Sequence, residues 1–192
     1  MSSIFKSTGA TLFYWASGAR GGKGVGHLAL KLGDGTYISH VPDKSAGSSH
    51  LLSWKRNDVP GMIGVNQTIY RWPTWRNRTF EADEALFGKN LQSLTLPSNF
   101  IDLYMSQYAA GRMLASSPES PPLHGPLPYY QLADSVKGAG DRSQCATTTA
   151  AVIAAGVPLT HQEVGAEILA KYDPDSLWDT VLALARKFTG GT

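Results

Sequence analysis

The clearest pattern along the chain is an alternating apolar run followed by a turn signal and a second short run. Residues 28–32 read Leu-Ala-Leu-Lys-Leu, the period-2 alternation of a half-buried strand. Asp34-Gly35 is a hairpin-turn dipeptide, and residues 36–38 read Thr-Tyr-Ile, a β-branched and aromatic run that suits a return strand. The pattern therefore predicts a β-hairpin that brings His27 and His40, one at each outer end, near each other on neighbouring strands.

Similar patterns predict further elements on both sides of this hairpin. Strands are expected at 10–15 and within 59–75, and helices at 81–89, 100–115, 145–155, 160–171 and from Asp175 onward. The segment 116–128 contains five prolines and cannot form a helix or a central strand. We expect a single α+β domain over residues 1–192, with 81–128 as a helical and proline-rich insertion.

Composition narrows the possible functions. The 192 residues are 42% hydrophobic, enough for a packed core, and the net charge of +2 does not favour nucleic acid as a partner. The N-terminus lacks a basic segment followed by an apolar run of signal-peptide length, and no stretch has the length of a membrane span. The chain is expected to be made in the cytoplasm as a soluble protein without a Sec signal.

The glycine-rich segment 17–26 invites a nucleotide-binding interpretation that its spacing excludes. A P-loop requires Ser or Thr after Gly-Lys, whereas Gly22-Lys23 is followed by Gly24. A dinucleotide-binding loop requires a helix to follow, and here a strand is predicted. We expect neither a cofactor nor a metal ion.

The only cysteine, Cys145, begins a run of small and apolar residues of helical length. Unpaired N–H groups and the positive dipole at a helix N-terminus favour a thiolate and can stabilise an oxyanion. His27 would serve as base and acid, and His40 would orient the His27 ring, with Ser39 or Asp43 as alternatives in that role. A buried cysteine that only packs in the core is the competing interpretation.

These residues resemble a known family. The run 26–40, Gly-His-Leu-Ala-Leu-Lys-Leu-Gly-Asp-Gly-Thr-Tyr-Ile-Ser-His, is similar to the histidine hairpin of the NlpC-type papain-like cysteine peptidases. Ser-Gln-Cys-Ala-Thr-Thr-Thr at 143–149 resembles their nucleophile segment. The resemblance implies a papain-like fold in which Cys145, His27 and His40 form the triad, with Tyr130 and Gln144 supporting substrate or oxyanion.

The order of the motifs departs from the ordinary family, because the cysteine follows the histidines instead of preceding them. This order indicates a circularly permuted member. The resemblance implies cleavage of a peptide or amide bond in peptidoglycan by an antibacterial effector, such as one delivered by type VI secretion into a target cell's periplasm. A secretion carrier and an immunity protein are the partners that such an effector implies.

Two other interpretations remain open from the sequence. Permuted relatives use the same triad as acyltransferases, thioesterases or protein deamidases. Alternatively, the Trp- and Arg-rich segment 54–78 would be the contact surface of a non-catalytic binding module. The width and polarity of the groove beside Cys145 would separate lipid from peptide substrates, and the distance between Cys145 and His27 would separate an enzyme from a binding module.

Overall fold

The predicted α+β class is confirmed by the computed structural model, which describes residues 9–16, 26–42, 50–55, 66–72, 75–88, 90–110, 130–133, 144–171 and 173–190. The strands in these ranges are β1 Thr11–Trp15, β2 His27–Lys31, β3 Tyr37–Ile38, β4 His40–Pro42, β5 His50–Lys55, β6 Asn66–Trp72, β7 Trp75–Asn77, β8 Leu91–Thr95 and β9 Tyr130–Ala133. The helices are α1 Phe80–Phe87, α2 Asp102–Ala109, α3 Cys145–Ala155, α4 Gln162–Leu169 and α5 Pro174–Thr189, with a 3₁₀ turn at Leu159–His161.

An antiparallel sheet with the strand order β3-β2-β1-β8 is the centre of the described structure. Because side chains alternate along each strand, the sheet has two chemically different faces. One face carries Leu12, Leu28, Leu30 and Ile38, all buried, and belongs to the same core as the apolar residues of α3 and α5. The other face carries aromatic residues and His27, and it packs against α1.

The hairpin between β2 and β3 closes through a three-residue loop, 33–35. The N–H of Leu32 donates to Thr36 O at 2.8 Å, and the N–H of Gly35 donates to Leu32 O at 3.0 Å. Gly35 has a φ of 93°, which only glycine adopts without strain. The resulting register pairs Leu30 with Ile38. This three-residue loop determines which side chains of the hairpin share a face.

Helix α3 lies close to the sheet because its first turns are built from small residues. Ala146 and Ala150 are fully buried, and the helix contacts β2 as well as α2, α4 and α5. Gly156 at the end of α3 lets α2 approach closely, since a Cβ there would lie 2.6 Å from Met105 Cγ on α2. The cysteine at the start of α3 is thereby fixed relative to the hairpin.

Of the segment predicted as an insertion, the structure describes residues 81–88 and 90–110, where β8 and α2 contact β1 and α3. Strand β8 pairs with β1 along its whole length. Helix α2 packs on α3, and its Asp102 Oδ1 accepts a 2.8 Å hydrogen bond from the N–H of Gly33 in the hairpin loop. Residues 111–128, which hold the prolines, lie outside the described residues.

Smaller sheets complete the described part of the chain. Strand β4 pairs with β7, and β6 lies between β5 and β9.

The start of α5 differs by a residue from the sequence prediction. Asp173 caps α5 by accepting from the N–H of Ser176 at 2.8 Å, and Pro174 occupies the first turn. None of the helices in the described ranges combines the length and apolar character needed to cross a bilayer.

Candidate active site

Cys145 is the first residue of α3, at the end of the helix where backbone N–H groups lack helical partners. The preceding residue, Gln144, is extended and begins the helix, and its N–H donates to Thr147 Oγ1 at 3.0 Å. The Cys145 side chain is buried and is a free thiol. The sequence prediction of a cysteine at a helix N-terminus agrees with this placement.

His27, the first residue of β2, lies close enough to the Cys145 thiol for each group to shift the pKa of the other. Its Nε2 lies 3.0 Å from Ser39 Oγ and 3.3 Å from Asp83 Oδ2. The ring therefore lies among the Cys145 thiol, a hydroxyl and a carboxylate.

Asp83 is the residue of the site that sequence reasoning missed. It lies in α1, a helix capped by Thr79, whose Oγ1 accepts from the N–H of Ala82 at 3.3 Å. The Asp83 side chain is completely buried. Its Oδ2 also accepts a 3.0 Å hydrogen bond from the Tyr37 hydroxyl, and Arg78 Nη1 lies 3.6 Å from its Oδ1. These partners stabilise a charge that burial alone would disfavour.

Ser39 is fixed next to His27 by the side chain of Asn77. Asn77 Oδ1 accepts from the N–H of Ser39 at 2.6 Å, and Asn77 Nδ2 donates to Tyr37 O at 2.6 Å. The amide thus spans the break between β3 and β4 as a strand partner would. The N–H of Arg78 donates to Ser39 O at 3.1 Å and strengthens the same connection.

The electrostatics of the cluster favour an ion pair between thiolate and imidazolium. Burial by itself lowers the pKa of His27, but hydrogen bonds to Asp83 and Cys145 outweigh it and raise the pKa to about 9. Burial raises the pKa of Cys145, while the hydrogen bond and charge of His27 and the N–H groups of Leu28 and Ala146 outweigh it, so the net pKa is lowered. The pKa of Asp83 is likewise lowered by His27, against the effect of burial.

Aromatic rings enclose the imidazole of His27. Phe87 of α1 stacks on it with ring centroids 4.6 Å apart and an interplanar angle of 12°. Trp15, its cross-strand neighbour on β1, has a centroid 5.7 Å away and donates its Nε1–H to Gly88 O at 3.2 Å. These rings limit rotation of the imidazole and shield its interactions from water, which strengthens them.

His40 has a different position from the one that the sequence predicts. It is buried, and its Nδ1 lies 2.8 Å from Thr148 Oγ1 on α3, whereas Ser39 and Asp83 are the residues within hydrogen-bond distance of His27 Nε2. The reason is the hairpin register. With Leu30 opposite Ile38, Ser39 falls on the face of His27 and His40 falls on the face of Leu28.

The remaining predicted site residues are placed as follows. Gln144 is buried beside Cys145. Tyr130 begins β9 opposite Trp72, and only its backbone is described. Asp43, the other alternative to His40, lies outside the described residues. Among the residues that are described, no group of three His, Cys, Asp or Glu side chains is arranged to hold a metal ion.

The comparisons with known proteins give no match: no protein-family model, no curated protein and no solved structure is significantly similar to this chain.

Proposed function

We propose that this chain is a cysteine hydrolase that cleaves an amide bond with Cys145 as nucleophile and His27 as acid and base. The observation that carries this proposal is one continuous path of contacts. A thiol at a helix N-terminus meets a histidine, and the other nitrogen of that histidine meets a buried carboxylate, Asp83. Nucleophile, base and orienting group are the three parts that acyl transfer requires.

In the first half of the reaction, the Cys145 thiolate attacks the carbonyl carbon and a C–S bond forms. The negative charge that develops on the carbonyl oxygen is stabilised by backbone N–H groups at the start of α3. As the tetrahedral intermediate collapses, the C–N bond breaks and the imidazolium of His27 gives its proton to the departing amine. The products are a free amine and an acyl group on Cys145.

In the second half, neutral His27 takes a proton from a water molecule that attacks the thioester. The C–S bond breaks, a carboxylic acid is released, and the thiolate–imidazolium pair is restored. Asp83 stays ionised throughout and holds the ring with Nε2–H towards itself, so that Nδ1 remains available to the thiol and the leaving group. Asp83 acts through His27 and does not touch the substrate.

The resemblance of the two motifs to NlpC-type peptidases supports a papain-like, permuted arrangement and amide bonds of peptidoglycan as the substrate. An antiparallel sheet that carries the histidine, packed on a helix that carries the cysteine, suits that arrangement. Peptidoglycan lies outside the bacterial cytoplasm, so this substrate also supports action as an exported antibacterial effector.

Digestion of purified peptidoglycan tests the substrate. Wild type and Cys145→Ala are incubated with it, and soluble fragments are identified by mass spectrometry. His161→Ala, at an exposed histidine far along the chain, is the matched control. We expect wild type and the control to release fragments with a new amine and a new carboxyl group, and Cys145→Ala to release none. The absence of any Cys145-dependent fragment would refute peptidoglycan as the substrate.

Covalent trapping tests the hydrolase proposal independently of the natural substrate. A small peptide-based acyl electrophile should add to Cys145 in wild type, and the adduct should be found by mass spectrometry on that residue. Replacement of His27 by Ala should slow the addition by roughly 10²- to 10⁴-fold, the usual contribution of general acid–base catalysis. Equal rates in the two proteins would show that His27 does not activate the thiol.

A further inference from the structure

His40 is a buried histidine that the proposed reaction does not use. Its side chain is only 1% exposed, and it lies in β4, directly after the residue that contacts His27. A polar ring in such a position normally makes specific hydrogen bonds, because an unsatisfied buried polar group is costly. The partners of His40 therefore indicate what it does.

Two of the contacts of His40 lead to the first turn of α3. Its Nδ1 lies 2.8 Å from Thr148 Oγ1, and the ring also makes a hydrogen bond with the backbone of Gln144. Gln144 immediately precedes Cys145, and Thr148 follows it by three residues. The N–H of Thr148 donates to Gln144 O at 2.9 Å and closes the same turn. One ring thus holds the turn that carries the nucleophile, on both sides of it.

The chemistry of His40 suits a residue that positions its neighbours by hydrogen bonds and does not take part in the reaction. Burial and the nearby charge of His27 lower the pKa of His40 to about 4, against the opposing effect of its hydrogen bond to Gln144. A neutral imidazole has one donor and one acceptor nitrogen, so it can bond a hydroxyl and a backbone group at once. It adds no further charge to the thiolate, the imidazolium and the Asp83 carboxylate.

We propose that His40 is a positioning residue that fixes the first turn of α3 through Thr148 and Gln144, and so holds the Cys145 thiol against His27. This assignment rests on the proposed function, because it gives His40 a purpose only if Cys145 and His27 react together. It also differs from the role of orienting the His27 ring, which Asp83 and Ser39 fill.

The test is the ultraviolet absorbance of the Cys145 thiolate as a function of pH, with Cys145→Ala in each background as the blank. The measured quantity is the midpoint pH of thiolate formation. Loss of one hydrogen bond should raise the midpoint by roughly 0.5 to 1 pH unit. We expect this shift for His40→Ala and for Thr148→Val, which removes the hydroxyl but keeps the shape. Thr148→Ser, which keeps the hydroxyl, should retain the wild-type midpoint.

Two conservative variants separate the nitrogens of His40. The amide of Asn reaches the place of Nδ1, and the amide of Gln reaches the place of Nε2. His40→Asn should therefore restore most of the midpoint that His40→Ala loses, and His40→Gln should restore less. The double variant His40→Ala/Thr148→Val should shift the midpoint no further than the larger single shift, because both remove the same bond.

The matched control is His161→Ala. His161 also faces a threonine, with Nδ1 3.0 Å from Thr160 Oγ1, but it is exposed and lies after α3, so its loss should leave the midpoint unchanged. Thermal unfolding identifies any variant that has lost its fold. If the His40 variants do not fold, the comparison of Thr148→Val with Thr148→Ser tests the assignment. A low midpoint in wild type that neither His40 nor Thr148 variants move would overturn this assignment alone. A wild-type midpoint near the ordinary thiol value of about 8.5 would overturn the proposed function and this assignment together.

Discussion

His27 and His40 lie at the two ends of one hairpin, are almost equally buried, and meet opposite kinds of partner. His27 faces a carboxylate and a thiol, and its pKa is raised to about 9. His40 faces a hydroxyl and a backbone group, and its pKa is lowered to about 4. In similarly buried surroundings, the pKa of the imidazole is therefore raised at one end of the hairpin and lowered at the other.

The difference shows that burial alone does not determine the protonation state of an imidazole. Burial disfavours the charged form of both rings, and only the ring with a buried carboxylate next to it overcomes that penalty. Asp83 is held ionised by His27, Ser39 and Tyr37. A carboxylate on a helix far along the chain therefore distinguishes the environment of His27 from that of His40.

The largest expected effect comes from removing this carboxylate. Asp83→Asn keeps the shape of the side chain but leaves His27 without its charged partner, so the pKa of His27 should fall and the pKa of Cys145 should rise. We expect the rate of covalent trapping at neutral pH to fall by roughly 10²- to 10⁴-fold. His40→Asn provides the contrast and should lose much less. If the two variants lost the same amount of activity, the distinction between the two histidines would be refuted.

A smaller effect on stability is expected at the hairpin loop. Gly35→Ala places a Cβ on a residue whose φ is 93°, where there is open space but a strained backbone. The free energy of unfolding should fall by about 1 to 2 kcal/mol. Denaturant unfolding measures this loss. The control is Asp34→Ala, which keeps the backbone conformation of the loop but removes the 2.8 Å hydrogen bond that the N–H of Thr36 donates to Asp34 Oδ1. An unchanged stability in Gly35→Ala would argue against the three-residue loop and its register.

Ser39→Ala should have a weaker effect on the reaction. The hydroxyl shares His27 Nε2 with Asp83 but carries no charge, so its loss removes one neutral contact. We expect a fall in trapping rate of roughly threefold to tenfold, which corresponds to about 1 kcal/mol. Ser39→Thr, which keeps the hydroxyl, tests whether the hydroxyl or the small volume matters. A larger loss in Ser39→Ala than in Asp83→Asn would reverse the roles assigned to the two residues.

The smallest effect is expected at Tyr37. Its hydroxyl donates to Asp83 Oδ2 at 3.0 Å without touching His27, so Tyr37→Phe should raise the pKa of Asp83 and slow trapping by only a few-fold. The pH dependence of trapping is the measurement. A loss as large as that of Asp83→Asn would mean that Tyr37 contributes more than a supporting hydrogen bond.

The sequence predicts the local parts of this site. Alternation at 28–32 and the turn dipeptide predict the hairpin, and the small residues after Cys145 predict a helix that begins at this cysteine. Local patterns are sufficient for both because a strand period and a helix start depend on neighbours in the chain.

The same pattern does not predict the register of the hairpin. A two-residue turn at Asp34-Gly35 would pair residue 33 with residue 36 and place His27 and His40 on the same face. The observed loop includes Gly33, shifts the pairing by one residue and moves His40 to the opposite face. A single residue in the loop therefore accounts for the different position of His40.

Asp83 was missed because its partner is distant in sequence, but a local signal exists. Phe80, Asp83 and Phe87 share one face of α1, and the two aromatic residues pack around the sheet while the aspartate lies between them. A carboxylate within the apolar face of a helix is unusual and indicates a buried partner.

The most direct test is an NMR titration of the histidine side chains, with His27 and His40 assigned from single substitutions. His27 should be protonated at neutral pH and lose its proton near pH 9, and this pKa should fall in Cys145→Ala and in Asp83→Asn. His40 should remain neutral at neutral pH and gain a proton only near pH 4. If both rings titrated together near the ordinary value of about 6.5, His27 would not be the charged partner of Cys145, and the proposed triad would be contradicted.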